Sequence, residues 1–420
     1  MNIKIEILST GDEVCLGAIV DSNSAYIAQE LLLLGIRVSR HTCVGDNLDE
    51  LVSVFKEISI RSDVAIVTGG LGPTEDDLSR EAAAKTLGVN LILNQDALLS
   101  VENFFKSLNR KVNSIENKQM TLPEGAKCIP NPYGTAPGFI FKIKKCIFFF
   151  LPGVPSEMRA MLSDYVLPYI RKNIWNDEKI FKVKTLSVFG LPESDLNDKI
   201  SDLEKSISGL KIGLRAMFPD IQIKLYAHGN NEAELTEIIN KAIKEVSIRI
   251  GKYIFSYEGE TMEEVVGRLL SVRGKTVAVA ESCTGGLISS LLTNVSGSSN
   301  YFNLSVVAYS NNAKVDLIGV SSDTLELFGA VHEETAKEMA EGVKKISGAD
   351  YGLSATGIAG PLGGSLDKPV GTVCIGISSY DMVSGYRFTF SFNDRLKHKK
   401  IFAITALELL RRKLLDEIKK

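Results

Sequence analysis

The chain opens on an alternating run, Met1 to Leu8, in which Ile3–Leu8 predicts a strand. Apolar positions three to four apart over Ser24–Leu34 then predict a helix stopped by Gly35. The rhythm repeats: Val38–Val44 predicts a strand, Leu48–Ile60 a helix, and Asp63–Val67 a buried strand running into Thr68-Gly69-Gly70. Strands alternating with helices predict an α/β sheet of parallel strands with crossover helices. The rhythm continues to Pro168, where a helix of about ten residues closes the unit.

From Ile174 to Tyr257 the pattern changes. Phe181–Val188 predicts a strand, Leu191-Pro192-Glu193-Ser194-Asp195 opens a helix, and Ile212–Met217 and Ile221–Ala227 predict two further strands. An amphipathic helix over Glu232–Arg249 completes a small α+β unit with no polar cluster, suited to a spacer or dimerisation module. The last part predicts a helix at Met262–Arg273, a buried strand at Thr276–Ala280, a helix over Gly285–Thr293 and a strand at Ser305–Ala308. Its closing helix turns Leu407, Leu410 and Leu414 inward and carries a Lys/Arg-rich outer face. No internal repeat is visible, and the domains expected are 1–170, 171–258 and 259–420.

Composition narrows the picture. At roughly 150 residues per domain, 420 residues suggest about three domains. The net charge of -3 is spread without a long basic tract, so strong nucleic-acid binding gets no electrostatic support. The six cysteines form no CxxC pair, suggesting neither a disulfide framework nor a zinc site and fitting a reducing compartment. The start lacks the apolar region of a signal peptide, and the most apolar run, Cys146–Leu151, is far short of a membrane span. A cytoplasmic protein without a membrane partner is expected.

Three N-terminal segments look like ligand loops at the carboxyl ends of strands: Ser9-Thr10-Gly11-Asp12-Glu13, Thr68 to Asp77, and Leu151 to Glu157. Glycines there let backbone N–H groups approach a phosphate. Thr74 is expected to cap a helix beginning near Glu75, and Glu75, Asp76 and Asp77 to hold a divalent ion bridging to that phosphate. Ordinary turns and helix-terminal charges are the plainer explanation for any single loop. Three loops ending three apolar strands weigh against it. No Gly-Lys-Ser/Thr follows, so this is not a Walker A loop.

A second polar site centres on Ala280-Glu281-Ser282-Cys283-Thr284-Gly285-Gly286, where Ser282 follows a buried strand and precedes a helix start. Backbone N–H groups near Thr284–Gly286 are placed for an oxyanion, but a serine needs a base. His332 reads as a capping or surface residue and His398, in a basic run, as solvated, so a Ser-His-Asp triad is poorly supported. Tyr309-Ser310-Asn311-Asn312-Ala313-Lys314 offers a lysine that, desolvated beside a tyrosine and a serine, can act as base or lower the tyrosine's pKa. A lone lysine there would ordinarily be an exposed helix residue. A further loop, Ser354 to Pro361 followed by Gly363-Gly364-Ser365 and Pro369-Val370-Gly371, forms a small-residue cradle suited to a phosphate or carboxylate.

With Asp21-Ser22-Asn23-Ser24 and Gly134-Thr135-Ala136-Pro137-Gly138, the N-terminal loops resemble the molybdopterin-binding-like domain of the CinA family. The second site resembles that family's C-terminal nicotinamide-nucleotide amidase domain. The resemblance covers the whole chain. It implies a three-layer α/β molybdopterin-binding-like domain, a small α+β middle domain and an α/β amidase domain. It further implies deamidation of nicotinamide mononucleotide without a cofactor, Ser282 being nucleophile, Lys314 general base and Tyr309 a helper in proton transfer. The substrate would lie against Thr284, Gly285, Gly286, Asn311, Thr356, Gly357, Ala359, Gly360 and Arg395, its phosphate near Thr356–Gly360. The N-terminal domain would be an ADP-ribose pyrophosphatase using a divalent metal, Mg or Co, at Asp76 and Asp77. Its ligand would lie against Thr10, Gly11, Asp12, Gly69, Gly70, Gly72, Thr74 and Gly153. Partners would be small nucleotides and a second copy in a homodimer. Leu362 and His332 depart from the family's usual residues without touching the proposed nucleophile or base. The alternative is a non-catalytic competence-associated scaffold, for which the sequence offers only the basic C-terminal helix.

Overall fold

The computed structural model describes residues 3–110, 114–175 and 180–417, with the backbone alone at 114–116, so Met1 and Asn2 of the opening run lie outside it. Two compact units divide the chain, residues 1–182 with 228–236 and residues 183–227 with 237–420.

From the N-terminus run β1 (Ile5–Thr10), α1 (Asp12–Cys15), α2 (Ser22–Leu33), β2 (Val38–Val44), α3 (Leu48–Arg61), β3 (Val64–Thr68) and α4 (Ser79–Leu87). Then come β4 (Leu91–Leu93), α5 (Gln95–Ser107), β5 (Thr121–Pro123), β6 (Lys127–Ile129), β7 (Gly138–Ile143), β8 (Cys146–Leu151), α6 (Pro155–Met161) and α7 (Leu167–Asn173). One sheet has the order β2-β1-β3-β8-β7-β6, parallel from β2 to β8 and antiparallel across β7 and β6. The central strands β3 and β8 are apolar on both sides because helices cover both faces. Ala65, Val67, Phe148 and Phe150 pack with Leu51, Phe55 and Ile58 of α3, while Val64, Ile66, Phe149 and Leu151 pack with Ile27 and Leu31 of α2 and with Met158 and Ile170. This is the three-layer arrangement expected.

Boundaries moved where polar residues are buried or cap. Every residue of β1 through Thr10 is buried, so the strand runs two residues past Leu8. The carboxylate of Asp21 accepts the Ser24 N–H, so α2 starts before Ser24. The closing helix is longer than expected, α6 and α7 being joined through a π-helical turn at Leu162–Val166.

The second stretch holds β9 (Ile180–Val188), α8 (Glu193–Ile200), α9 (Leu203–Ser206), β10 (Leu210–Met217), β11 (Asp220–Gly229), α10 (Glu232–Ile250) and β12 (Ile254–Ser256), its sheet ordered β10-β11-β9-β12. The C-terminal stretch follows with α11 (Met262–Val272), β13 (Val277–Glu281), α12 (Leu287–Asn294), β14 (Phe302–Val307), α13 (Asn311–Ile318), α14 (Ser322–Phe328) and α15 (Glu333–Ser347). It ends with β15 (Tyr351–Gly357), β16 (Thr372–Ser378), β17 (Val383–Thr389) and α16 (Arg395–Asp416).

The C-terminal sheet runs β14-β13-β15-β16-β17, with β14, β13 and β15 parallel. The chain leaves β13 first to one side and then to the other. That reversal opens a crevice at the carboxyl ends of β13, β14 and β15, where open α/β sheets bind ligands. One face is covered by α11, α12 and α16, with Val266, Leu292, Phe402 and Leu407 against Val279, Leu353 and Ile375. The other carries α15, whose backbone comes so near that a Cβ on Gly352 or Gly376 would lie 1.9 or 2.1 Å from the Ala340 or Ala336 carbonyl oxygen. Among the described residues no helix is long and apolar enough to cross a membrane.

Candidate active site

Three loops meet at the carboxyl ends of β13, β14 and β15. Ser282 stands one residue beyond β13, in a turn made possible by Gly285 (φ 60°) and Gly286 (φ 91°), left-handed values that side chains disfavour. The predicted helix therefore starts at Leu287 rather than Gly285. The turn is held from beneath by Glu281, fully buried, whose carboxylate accepts the N–H groups of Ile288 and Ser289 and the Ser289 hydroxyl. A carboxylate at a helix N-terminus is well placed, and nothing in the sequence reading singled it out. The Gly285 N–H donates to the Ser282 carbonyl and the Leu287 N–H to the Thr284 carbonyl, which removes Gly285 from the amides available to an oxyanion. Thr284 is buried, with no hydrogen-bond partner for its hydroxyl among the described residues.

Lys314 departs from the exposed helix lysine that its position would ordinarily give. Only 1% of it is exposed. Its Nζ lies 3.1 Å from Ser282 Oγ, 2.9 Å from the Ala308 carbonyl oxygen and 3.4 Å from that of Tyr309. No carboxylate pairs with it among the described residues, and burial holds its pKa below the ordinary lysine value. A neutral amine has two hydrogens and one lone pair. The two carbonyls take the hydrogens and the lone pair is left facing the Ser282 hydroxyl. Cys283, the adjacent thiol, is buried and pushed up to about 12 by desolvation, which makes it an unsuitable nucleophile.

Tyr309 contributes its backbone rather than its phenol to Lys314. The ring is exposed, and its hydroxyl accepts a hydrogen bond from Arg395 at 3.2 Å. Proton transfer through this hydroxyl thus lacks a path in this geometry. We expect Tyr309→Phe to keep turnover within about threefold of the parent and to act mainly on KM, as read in steady-state kinetics; a loss of several hundredfold in kcat would return the phenol to the proton path.

The cradle is also more constrained than its glycines suggest. The Thr356 hydroxyl donates to the Ala330 carbonyl at 2.8 Å, so it has no proton to offer an anion. Gly357 lies within β15, paired with Val373. Arg395 joins two loops, donating to the Gly360 carbonyl at 2.6 Å as well as to Tyr309. Asn311, the first residue of α13, is exposed. One turn beyond Arg395, Lys399 brings its Nζ to 3.4 Å from where a Cβ on Gly285 would sit.

His398 corrects the sequence reading outright. It is buried, not solvated, because α16 turns its apolar side and His398 inward beneath the cradle. Nδ1 lies 3.0 Å from the Ala359 carbonyl oxygen, Nε2 lies 3.0 Å from that of Phe390 and receives the Phe392 N–H at 3.3 Å, and the ring stacks on Phe402. An Nδ1–H tautomer donates to Ala359 and accepts from Phe392. His398→Phe keeps the stacking but leaves both groups unpaired, so the full chain should lose roughly 2–6 kcal/mol, at about 1–3 kcal/mol per orphaned group. An unchanged urea midpoint would contradict this. His332, by contrast, caps α15 as expected, its Nδ1 accepting the Glu334 N–H.

The N-terminal cleft, about 440 Å³, lies at the carboxyl ends of β1, β3 and β8 and is lined by Thr10, Gly11, Gly69, Gly70, Gly72 and Gly153 among others. Thr74 caps no helix, since α4 begins at Ser79. The Thr74 N–H and hydroxyl are instead both taken by the Asp77 carboxylate. That commits Asp77 to stapling the loop. Arg80, missed in the sequence, is fully buried and donates to the Leu71 and Gly72 carbonyls at 2.9 and 2.7 Å, fixing the glycine loop. Desolvation lowers its pKa to about 10.

Asp76 lies among other acids. Asp46 is raised by burial and by the charges of Asp12, Glu13 and Asp76, while the Asp12 and Asp46 carboxylates each accept the other's backbone N–H. Such crowding suits a cation. No group of three His, Cys, Asp or Glu side chains is disposed to hold a metal among the described residues.

Three family models match the chain: "Probable molybdopterin binding domain" over residues 6–172, "Damage-inducible protein CinA KH domain" over 183–256 and "CinA C-terminal domain" over 259–414. A CinA-like protein of Desulfosudis oleivorans is 48% identical over 410 residues, covering 98% of this chain and 99% of that protein. A CinA-like protein of Geobacter metallireducens is 43% identical over 416 residues, covering 99% of this chain and 100% of that protein. Among solved structures, the competence/damage inducible protein CihA from Agrobacterium tumefaciens is 38% identical and covers 36% of this chain and 94% of that chain, with a TM-score of 0.35.

Proposed function

The chain belongs to the CinA family, with a molybdopterin-binding-like domain, a small KH-like domain and a CinA C-terminal domain, and from that premise we propose that the C-terminal domain is a serine–lysine amidohydrolase acting on nicotinamide mononucleotide. The observation that carries the reading is a buried lysine with no carboxylate partner among the described residues, 3.1 Å from a serine hydroxyl at a sheet crevice. Lys314 takes the Ser282 proton as Oγ attacks the carboxamide carbon. The backbone amides of Cys283, Thr284 and Gly286, unlike that of Gly285, remain for the developing oxyanion, each such donor being worth about 2.7–4 kcal/mol. Lys314 returns the proton to the leaving nitrogen, and ammonia departs. Water, activated by the same amine, then releases nicotinate mononucleotide. Arg395 and Lys399, on successive turns of α16, supply positive charge for the phosphate. The test is the products formed by the full chain from nicotinamide mononucleotide: ammonia and nicotinate mononucleotide in equal amounts support the reading, and nicotinamide with ribose 5-phosphate overturns it.

A second reading concerns the N-terminal cleft, favoured by the crowding of Asp12, Glu13 and Asp76 about Asp46, whose pKa burial and these charges raise. There Asp76 and Asp46, rather than Asp77, would hold a divalent ion. When bound, that ion supplies charge neutralisation for a pyrophosphate such as that of ADP-ribose. Gly69, Gly70 and Gly153 allow close backbone approach to the phosphates, and Arg80 keeps the loop in shape. Asp76→Asn should raise the metal concentration for half-maximal ADP-ribose hydrolysis at least roughly tenfold, since losing even an outer-shell partner costs that much. Unaltered metal dependence would remove Asp76 from the site. Both activities would sit in a cytoplasmic salvage route for pyridine nucleotides.

A further inference from the structure

The two cysteines nearest the N-terminal cleft are not scattered thiols. Cys15 is the last residue of α1 and Cys43 the penultimate residue of β2, and their Sγ atoms lie 3.1 Å apart with both residues exposed. The remaining cysteines, 128, 146, 283 and 374, are half-buried or buried. We propose that Cys15 and Cys43 form a reversible disulfide that clasps the flap formed by α1 and residues 16–20 to the edge strand β2.

The flap is pinned at its two ends, at Asp12 and, just past Val20, at Asp21, whose carboxylate accepts the Ser9 hydroxyl at 2.6 Å. Its start is fixed to β2 and the loop beyond it by the Gly11 N–H to Val44 carbonyl bond and the reciprocal Asp12–Asp46 pair. Beyond Glu13 the backbone bonds of the segment close on itself: Leu16 to Asp12, Gly17 to Val14, and Ala18 and Ile19 to Glu13. Leu16, Ile19 and Val20 are exposed, and Ile19 and Val20 line the cleft. A bond from Cys15 to Cys43 would tie down the far end of α1, and with it the wall of the cleft that carries Glu13.

The chemistry balances with a low-molecular-weight disulfide as oxidant. The Cys15 thiolate attacks one sulfur of the oxidant, forming a mixed disulfide and releasing one thiolate. Cys43 then attacks the Cys15 sulfur, its proton passing to solvent, and a second thiolate leaves. Two thiols lose two electrons and two protons, and one external disulfide becomes two thiols. Partial desolvation, the Cys15 thiol and the acids Asp21 and Glu13 push the Cys43 thiol up to about 12. The second step therefore accelerates with pH, close to tenfold per pH unit in the neutral range. Exposed disulfides of this kind are the labile ones.

The test uses the full chain equilibrated with reduced and oxidised glutathione at graded ratios, alkylated on unfolding and mapped by mass spectrometry. We expect one intrachain Cys15–Cys43 peptide pair, two hydrogens lighter, reversed by dithiothreitol and lost in both Cys15→Ser and Cys43→Ser. Free thiols at the most oxidising ratio, glutathione adducts that never resolve, or a link between chains would overturn it. Amide exchange over residues 12–20 should slow at least tenfold in the oxidised chain, and equal exchange in both forms would overturn the clasp.

Discussion

Lys314→Met should abolish ammonia release, by roughly two to four orders of magnitude for loss of the base, while leaving the thermal midpoint nearly unchanged. The methionine stem fills the volume of the lysine stem. It removes the cost of holding an amine away from water, which offsets the loss of the bonds to the Ala308 and Tyr309 carbonyls. In the parent enzyme the rate should climb with pH at a slope of one in log units and level off at a pKa below the ordinary lysine value of 10.5, because burial favours the neutral amine. Stability follows the same group. The unfolded chain binds this proton more tightly than the folded one, so between the lowered pKa and 10.5 the folded state gains stability as pH rises. Below that window the penalty is constant. Lys314→Met should flatten that alkaline gain; a variant with parental activity, or one that unfolds readily, would contradict the role assigned to the amine.

Ser282→Ala should be the more severe lesion, costing on the order of 10⁶ in kcat if serine is the nucleophile, the scale seen when a serine hydrolase loses its attacking group. The substitution removes one hydroxyl at a site that is 8% exposed and leaves the Ser282 N–H to Ala355 carbonyl bond in place, so the fold should be kept. Substrate binding should persist, since the cradle and the cations of α16 are untouched. Calorimetric titration with nicotinamide mononucleotide should then give a Kd near that of the parent. Residual turnover at a tenth of the parental rate or more would mean that water, not Ser282, attacks the amide.

What was legible in the sequence depended on which interactions are local. The parallel sheets were readable because strands buried on both faces are continuous apolar runs, as at Val64–Thr68 and Val277–Glu281. Ser282 stood out because a polar residue between such a strand and Gly285-Gly286 has few other uses. A desolvated Lys314 was proposed against the exposed helix lysine that its position alone suggests. The structure decides for burial, at 1% exposed, because α13, following β14 beside β13, sets it against Ser282. Tertiary placement likewise explains His398. A run of basic residues reads as solvated until the helix phase and the cradle above it are known. Thr74 was expected to cap a helix beginning near Glu75, but its N–H bonds the Asp77 carboxylate in a loop turn ahead of α4. Glu281 and Arg80 were missed because buried charges that organise backbone carry no periodic signal. A charged residue ending an apolar strand, or following directly on a glycine loop, is the trace they leave.

The most direct test of the central claim is to quench the full chain during turnover of nicotinamide mononucleotide and locate the covalent adduct by peptide mass spectrometry. The account predicts a nicotinoyl-nucleotide ester on Ser282, absent in Lys314→Met. An adduct on Cys283, or full turnover with the Ser282 peptide never modified, would contradict it.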